Sequence, residues 1–147
     1  MVTPPQAPDT PSAALNAALM ASPQWRQADA QVRIAQAEYD TAKAQVLAQL
    51  QTQPAYQQAL ARKQQDAQKV ESLKAKDPAP SIERAAPIAT AKLDAAQAVT
   101  QMESAALLAD PQASAAKIKL DVAIARRDEA RQAAQAALPK STPNAAR

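Results

Sequence analysis

Residues 25–50, WRQADAQVRIAQAEYDTAKAQVLAQL, place Trp25, Ala28, Val32, Ala35, Tyr39, Ala42 and Val46 at alternating spacings of three and four. That alternation marks one face of a helix that meets a neighbouring helix along a narrow seam. Leu50 comes after a further four, a stutter just ahead of Pro54. No stretch of the chain alternates with period two, so the spacing predicts helices and no sheet.

Working outward, Tyr56, Leu60, Ala67 and Val70 resume the stripe, with Lys63 interrupting it. Ile82, Ala89, Leu93, Ala96 and Val99 begin a similar face in the second half. Leu120, Ala123, Ala130, Ala134 and Ala137 continue it, and Arg127 falls on the seam as a flaw.

Proline sets the joints. Leu19-Met20-Ala21-Ser22-Pro23, Leu50-Gln51-Thr52-Gln53-Pro54 and Leu107-Leu108-Ala109-Asp110-Pro111 read as three copies of one helix restart. Proline is favoured at a first helical position, where its missing N–H costs nothing. Ser22 and Asp110 are good N-caps and Gln53 is a poor one. Asp77-Pro78-Ala79-Pro80-Ser81 is the clearest break, because two prolines in three residues forbid a continuous helix. Ser81 is positioned to cap the next helix, and Pro87 to tighten or delay that helix's first turns.

The chain has 147 residues and contains no glycine, cysteine, histidine or phenylalanine, but 41 alanines and 19 glutamines. Alanine, glutamine, leucine, lysine, arginine and glutamate all favour helix. Large apolar side chains are scarce, which suits a thin seam between helices better than a thick globular core. Without glycine, a phosphate-cradling loop has no usual means of construction. Without histidine or cysteine, the common general base near neutral pH and the thiol nucleophile are both missing, as are Cys/His metal clusters. No catalytic residue, cofactor or metal ligand is expected, nor a small-molecule substrate. The 17 basic and 14 acidic residues are interspersed, giving a net charge of +3 and no one-signed stripe for nucleic acid. No stretch approaches the ~20 apolar residues of a membrane span. Met1 to Pro11 lack the basic start and apolar core of a signal peptide.

The sequence thus predicts an all-α fold: residues 23–138 form one helical domain, an elongated antiparallel hairpin with coiled-coil-like, proline-kinked arms. Its arms run over 23–76 and 82–138 and fold back at Pro78–Pro80, pairing Tyr56 with Met102 and Leu50 with Leu108. A four-helix bundle split at Pro54 and Pro111 is the alternative. Reversal at Asp110–Pro111 needs a positive-φ residue, and none is supplied. Residues 1–22 are expected to be a Pro-rich leader, mostly disordered, with a short helix possible from Pro11 to Met20. Residues 139–147 are expected to be a disordered tail.

Residues 30–45, AQVRIAQAEYDTAKAQ, resemble the helical hairpins of periplasmic membrane-fusion adaptors, and outer-membrane efflux channels have helices of similar texture. The resemblance implies a coiled-coil protein of the bacterial envelope, periplasmic or secreted. The expected function is a non-enzymatic helical scaffold or interaction protein, with a chaperone-like binder of unfolded or envelope clients as the alternative. Ile34, Leu47, Leu107, Ile118, Val122 and Ile124 lie off the main seam and form a candidate association stripe. A mostly alanine seam buries little area against the entropy of ordering the chain, so such a stripe needs cover. The expected partner is a second copy in a two-fold dimer, or another protein's helix.

Overall fold

The computed structural model describes residues 11–139. Within them are five helices and no strand: α1 Pro11–Ala21, α2 Pro23–Gln51, α3 Pro54–Lys76, α4 Ile82–Ala109 and α5 Pro111–Ala136. The fold is all-α. The disorder expected at residues 1–10 and 140–147 lies outside the described residues, whereas residues 11–21 are helical.

Three helices begin at the prolines of the repeated motif, and the residue before each of those prolines is not helical. The cause is steric. A proline ring clashes with the preceding residue in the α region and pushes it to extended backbone. Gln53 accordingly sits at φ −82, ψ 127 and Asp110 at φ −83, ψ 120. No described residue has positive φ. The joints are therefore interruptions between helices, one or two residues long, rather than bends within continuous ones.

Each interruption is stitched locally. Ser22 Oγ accepts a bond from the Trp25 N–H at 3.3 Å, and Asp110 Oδ1 accepts one from the Ala113 N–H at 2.7 Å. Gln53 makes no side-chain cap. There the repair comes from the other side, as Thr52 Oγ1 donates to the Gln49 carbonyl and Gln57 Nε2 to the Gln51 carbonyl. Replacing Asp110 with alanine should cost about 1 kcal/mol of stability. Pro111→Ala should be nearly neutral, since a first-position proline gives up no helical bond. Thermal melts of the two variants check both, and a higher melting temperature for Pro111→Ala would indicate a strained bend instead.

The described residues fall into two compact units, 11–39 with 116–139 and 40–115. In the second unit, α3 and α4 run antiparallel on either side of the Asp77–Ser81 turn. Asp77 organises that turn. Its Oδ1 accepts the Ala79 N–H at 3.2 Å, its own N–H donates to the Leu73 carbonyl, and its other oxygen faces Arg84 at 3.6 Å. Ser81, expected as a cap, makes no side-chain cap bond; only its carbonyl enters the helix, accepting from Arg84 and Ala85. Pro87 is accommodated inside α4 without delaying its start at Ile82.

One buried cluster of this unit is Leu50, Tyr56 and Val99, with Leu47, Ala59, Leu60, Met102 and Ala106 packed against them. Met102 thus packs against the cluster that holds Tyr56, its expected counterpart. Leu50 is buried in the same cluster, while Leu108, its expected counterpart, is 80% exposed. The expected face of α4 also needs correction. Of that face Val99 is buried as expected, whereas Ile82 and Leu93 point to solvent at 84% and 57% exposure and Ala95 is the second buried position. In a helix with alanine on every side, the bulky residues do not reveal which face is inward.

Asp66 is buried on α3, a position outside the apolar stripe. Lys69 Nζ lies 2.9 Å from one of its oxygens and Arg62 Nε 3.9 Å from the other, both from the same helix. The basic partners are largely exposed, so the pairs are screened. Asp66→Leu should therefore be neutral or slightly stabilising, replacing a desolvated carboxylate with an apolar side chain. Urea unfolding checks this, and a clear loss of stability would mean that the carboxylate organises the helix.

The first unit is built on Val32 and Ala35 of α2 against Leu120 and Ala123 of α5, with Tyr39 and Ile124 packed beside them. Antiparallel register is fixed by two crossings: Asp29 faces Arg127 at 3.7 Å, and Lys119 donates to Glu38 at 3.3 Å. Asp29, which also pairs with Arg33 at 2.8 Å, explains how Arg127 is tolerated on the seam. Leu19 of α1 is buried in this unit as well.

Candidate association surface

Beside the buried seam of the first unit, α2 and α5 leave a second lengthwise groove of about 810 Å³. Its α2 wall carries Gln24, Gln27, Gln31, Ile34 and Glu38. Those positions again alternate three and four apart. Its α5 wall carries Lys119, Val122, Arg126, Glu129 and Ala133, with the same alternation. Each helix therefore presents two adjacent heptad-like faces, one spent on its partner within the chain and one left open.

The two walls are in register. The Glu38–Lys119 bond sets one level of the groove, and the Asp29–Arg127 crossing fixes the direction. Counting along both helices places Ile34 level with Val122, Gln31 with Arg126, Gln27 with Glu129 and Gln24 with Ala133. The groove thus has one apolar level with polar levels to either side. Its apolar side chains are open to solvent: Ile34 is 53% exposed, Val122 45% and Ile118 64%.

The six residues of the expected association stripe divide between these environments. Ile34, Ile118 and Val122 come together in the groove. Ile124 packs against the buried cluster of the same unit and Leu47 against the core of the second. Leu107 is half-buried in the second unit, its carbonyl accepting from Ser114 Oγ at 3.4 Å. The polar members of the groove carry no hydrophobic signal. The trace they leave in the sequence is the spacing of Gln24, Gln27, Gln31 and Glu38 alone.

One titration is shifted by its surroundings. In the second unit the Tyr56 hydroxyl donates to Glu103 Oε1 at 2.6 Å. That bond, together with burial and the carboxylate's charge, raises the phenol above its ordinary 10.0. The linkage joins α3 to α4 and is structural, tying the two helices together beside their shared core.

Among the described residues no cluster of three or more histidine, cysteine or carboxylate side chains could hold a metal ion. None of the described helices is long and apolar enough to cross a membrane. No protein family, curated protein or solved structure matches the chain.

Proposed function

We propose that this protein is a non-enzymatic helical scaffold, an interaction protein of the bacterial cell envelope, whose working surface is the open α2–α5 groove. The observation that carries the reading is the second heptad-like face on both helices, with Ile34, Ile118 and Val122 exposed between polar walls. Such a groove matches the apolar stripe of a further helix, the helix-in-groove mode of recognition. The sequence supports the absence of catalysis, having no histidine, cysteine or glycine from which the usual sites are built. The envelope assignment rests on the likeness of residues 30–45 to adaptor hairpins.

The same exposed side chains would serve a chaperone-like binder of unfolded clients, and solution behaviour separates the two. A scaffold forms a definite assembly, melts cooperatively and does not prevent an unfolded test protein from aggregating. A client binder takes up hydrophobic dye and suppresses that aggregation in proportion to its concentration. Suppression that is lost on Val122→Lys would overturn the scaffold reading.

A further inference from the structure

Resting on the reading of the groove as a helix-docking surface, we infer that its occupant is the same groove of a second copy, related by a two-fold axis running along the groove. The charge of the walls points to this occupant. The α2 wall carries one charge, the carboxylate of Glu38, among glutamines, while the α5 wall carries Lys119 and Arg126 against Glu129. One wall is acidic and the other is basic on balance. A surface with that asymmetry is complementary to itself only if each copy's α2 wall meets the other's α5 wall.

An axis along the groove does this and keeps every level aligned. Ile34 and Val122 of both copies form one apolar layer of four side chains. Glu38 of each copy lies over Lys119 of the other, so a ring of alternating charge replaces the single pair at 3.3 Å. Arg126 meets the amide of Gln31, which can accept from it. An axis across the groove would also match the apolar level. It would, however, set Lys119 against Arg126, a like-charge contact that is unfavourable in a partly desolvated interface. The charge order thus selects one of the two symmetric arrangements.

The face is modest. Helices of this length give an area of roughly 22 Å by 20 Å, at the small end for a specific interface. The dimer is accordingly one that exchanges at micromolar concentration, and sedimentation equilibrium of the full chain is the appropriate measurement. Two variants read the arrangement, Glu38→Lys and Lys119→Glu. Alone, each places like charges across the interface and should weaken self-association by roughly tenfold or more. Mixed, they should associate with each other about as tightly as the wild type with itself. One copy then carries two lysines at these positions and the other two glutamates, so both contacts across the interface join opposite charges. Circular dichroism of each variant confirms that it is folded, and recovery in the mixture excludes simple misfolding.

A wild type that dimerises while the mixture recovers nothing would overturn the two-fold arrangement and leave the scaffold reading standing. A wild type that stays monomeric throughout the micromolar range would overturn the second copy as occupant. The monomer's response to dye and to an aggregating client then decides the scaffold reading separately.

Discussion

Replacing Tyr56 with alanine is expected to destabilise residues 40–115 by about 3–5 kcal/mol, the largest single effect in the protein. The ring is buried beside Leu50 and Val99. It fills the space where α2 ends and α3 begins, and its neighbours there are aliphatic side chains already engaged in the same core. Tyr56→Phe keeps the ring and removes only the donor to Glu103, so it should cost about 1–2 kcal/mol. The two variants therefore separate packing from hydrogen bonding. A pH arm completes the test. The folded state raises the phenol's pKa, so it holds the proton more tightly than the unfolded chain does. That contribution is fully present below the unfolded value near 10.0, declines above it and is lost as pH rises through the raised folded value. Tyr56→Phe should flatten this alkaline decline, as read by denaturant midpoints across the pH range. An unchanged alkaline slope would mean that the Tyr56–Glu103 bond does not control it.

The second large effect is expected at Leu120. In the first unit's buried cluster only Val32 and Leu120 are large, the remainder being Ala35 and Ala123. Leu120→Ala would leave three alanines around one valine and should cost about 2–5 kcal/mol. Amide hydrogen exchange localises the loss, which should appear first in residues 24–38 and 117–133. Ile34→Ala on the same unit is the contrast. Its side chain is half open to solvent, so removing it should change the monomer's stability by no more than about 0.5 kcal/mol and act on association instead. If the two variants were equally destabilising, the division between buried seam and open groove would be wrong.

The sequence is most informative where bulk and spacing coincide. On α2 the alternation from Trp25 to Leu50 picks out Val32, Ala35, Ala42, Val46 and Leu50, all of which are buried. The caps at Ser22 and Asp110 are legible too, because a short polar side chain before proline has one obvious task there. On α4 the same spacing finds the buried Val99 but also points to Ile82 and Leu93, which face solvent. Alanine is nearly indifferent to burial, so bulk misleads where alanine supplies the seam. The burial of Asp66 is hidden for a related reason: a carboxylate is assigned to the surface unless its neighbours show otherwise, and Arg62 and Lys69 are those neighbours. Half of the association stripe is visible as isolated apolar residues. The remaining positions of the groove are glutamines and charges whose common face emerges only once α2 and α5 are placed side by side.

The interruptions at 52–53 and 110 carry a mechanical consequence for residues 40–115. Leu47 and Leu50 on one side of the first break, and Tyr56, Ala59 and Leu60 on the other, share one core with Val99, Met102 and Ala106 of unbroken α4. The second break lies about one turn beyond Ala106, and the antiparallel register sets it beside α2, which is still unbroken there. The discontinuities are staggered like joints in brickwork, so no cross-section of this unit is cut in both helical arms. A bending load at either joint is carried by the intact helix alongside, as by a splint, and two helices made of segments can resist flexure as a single beam.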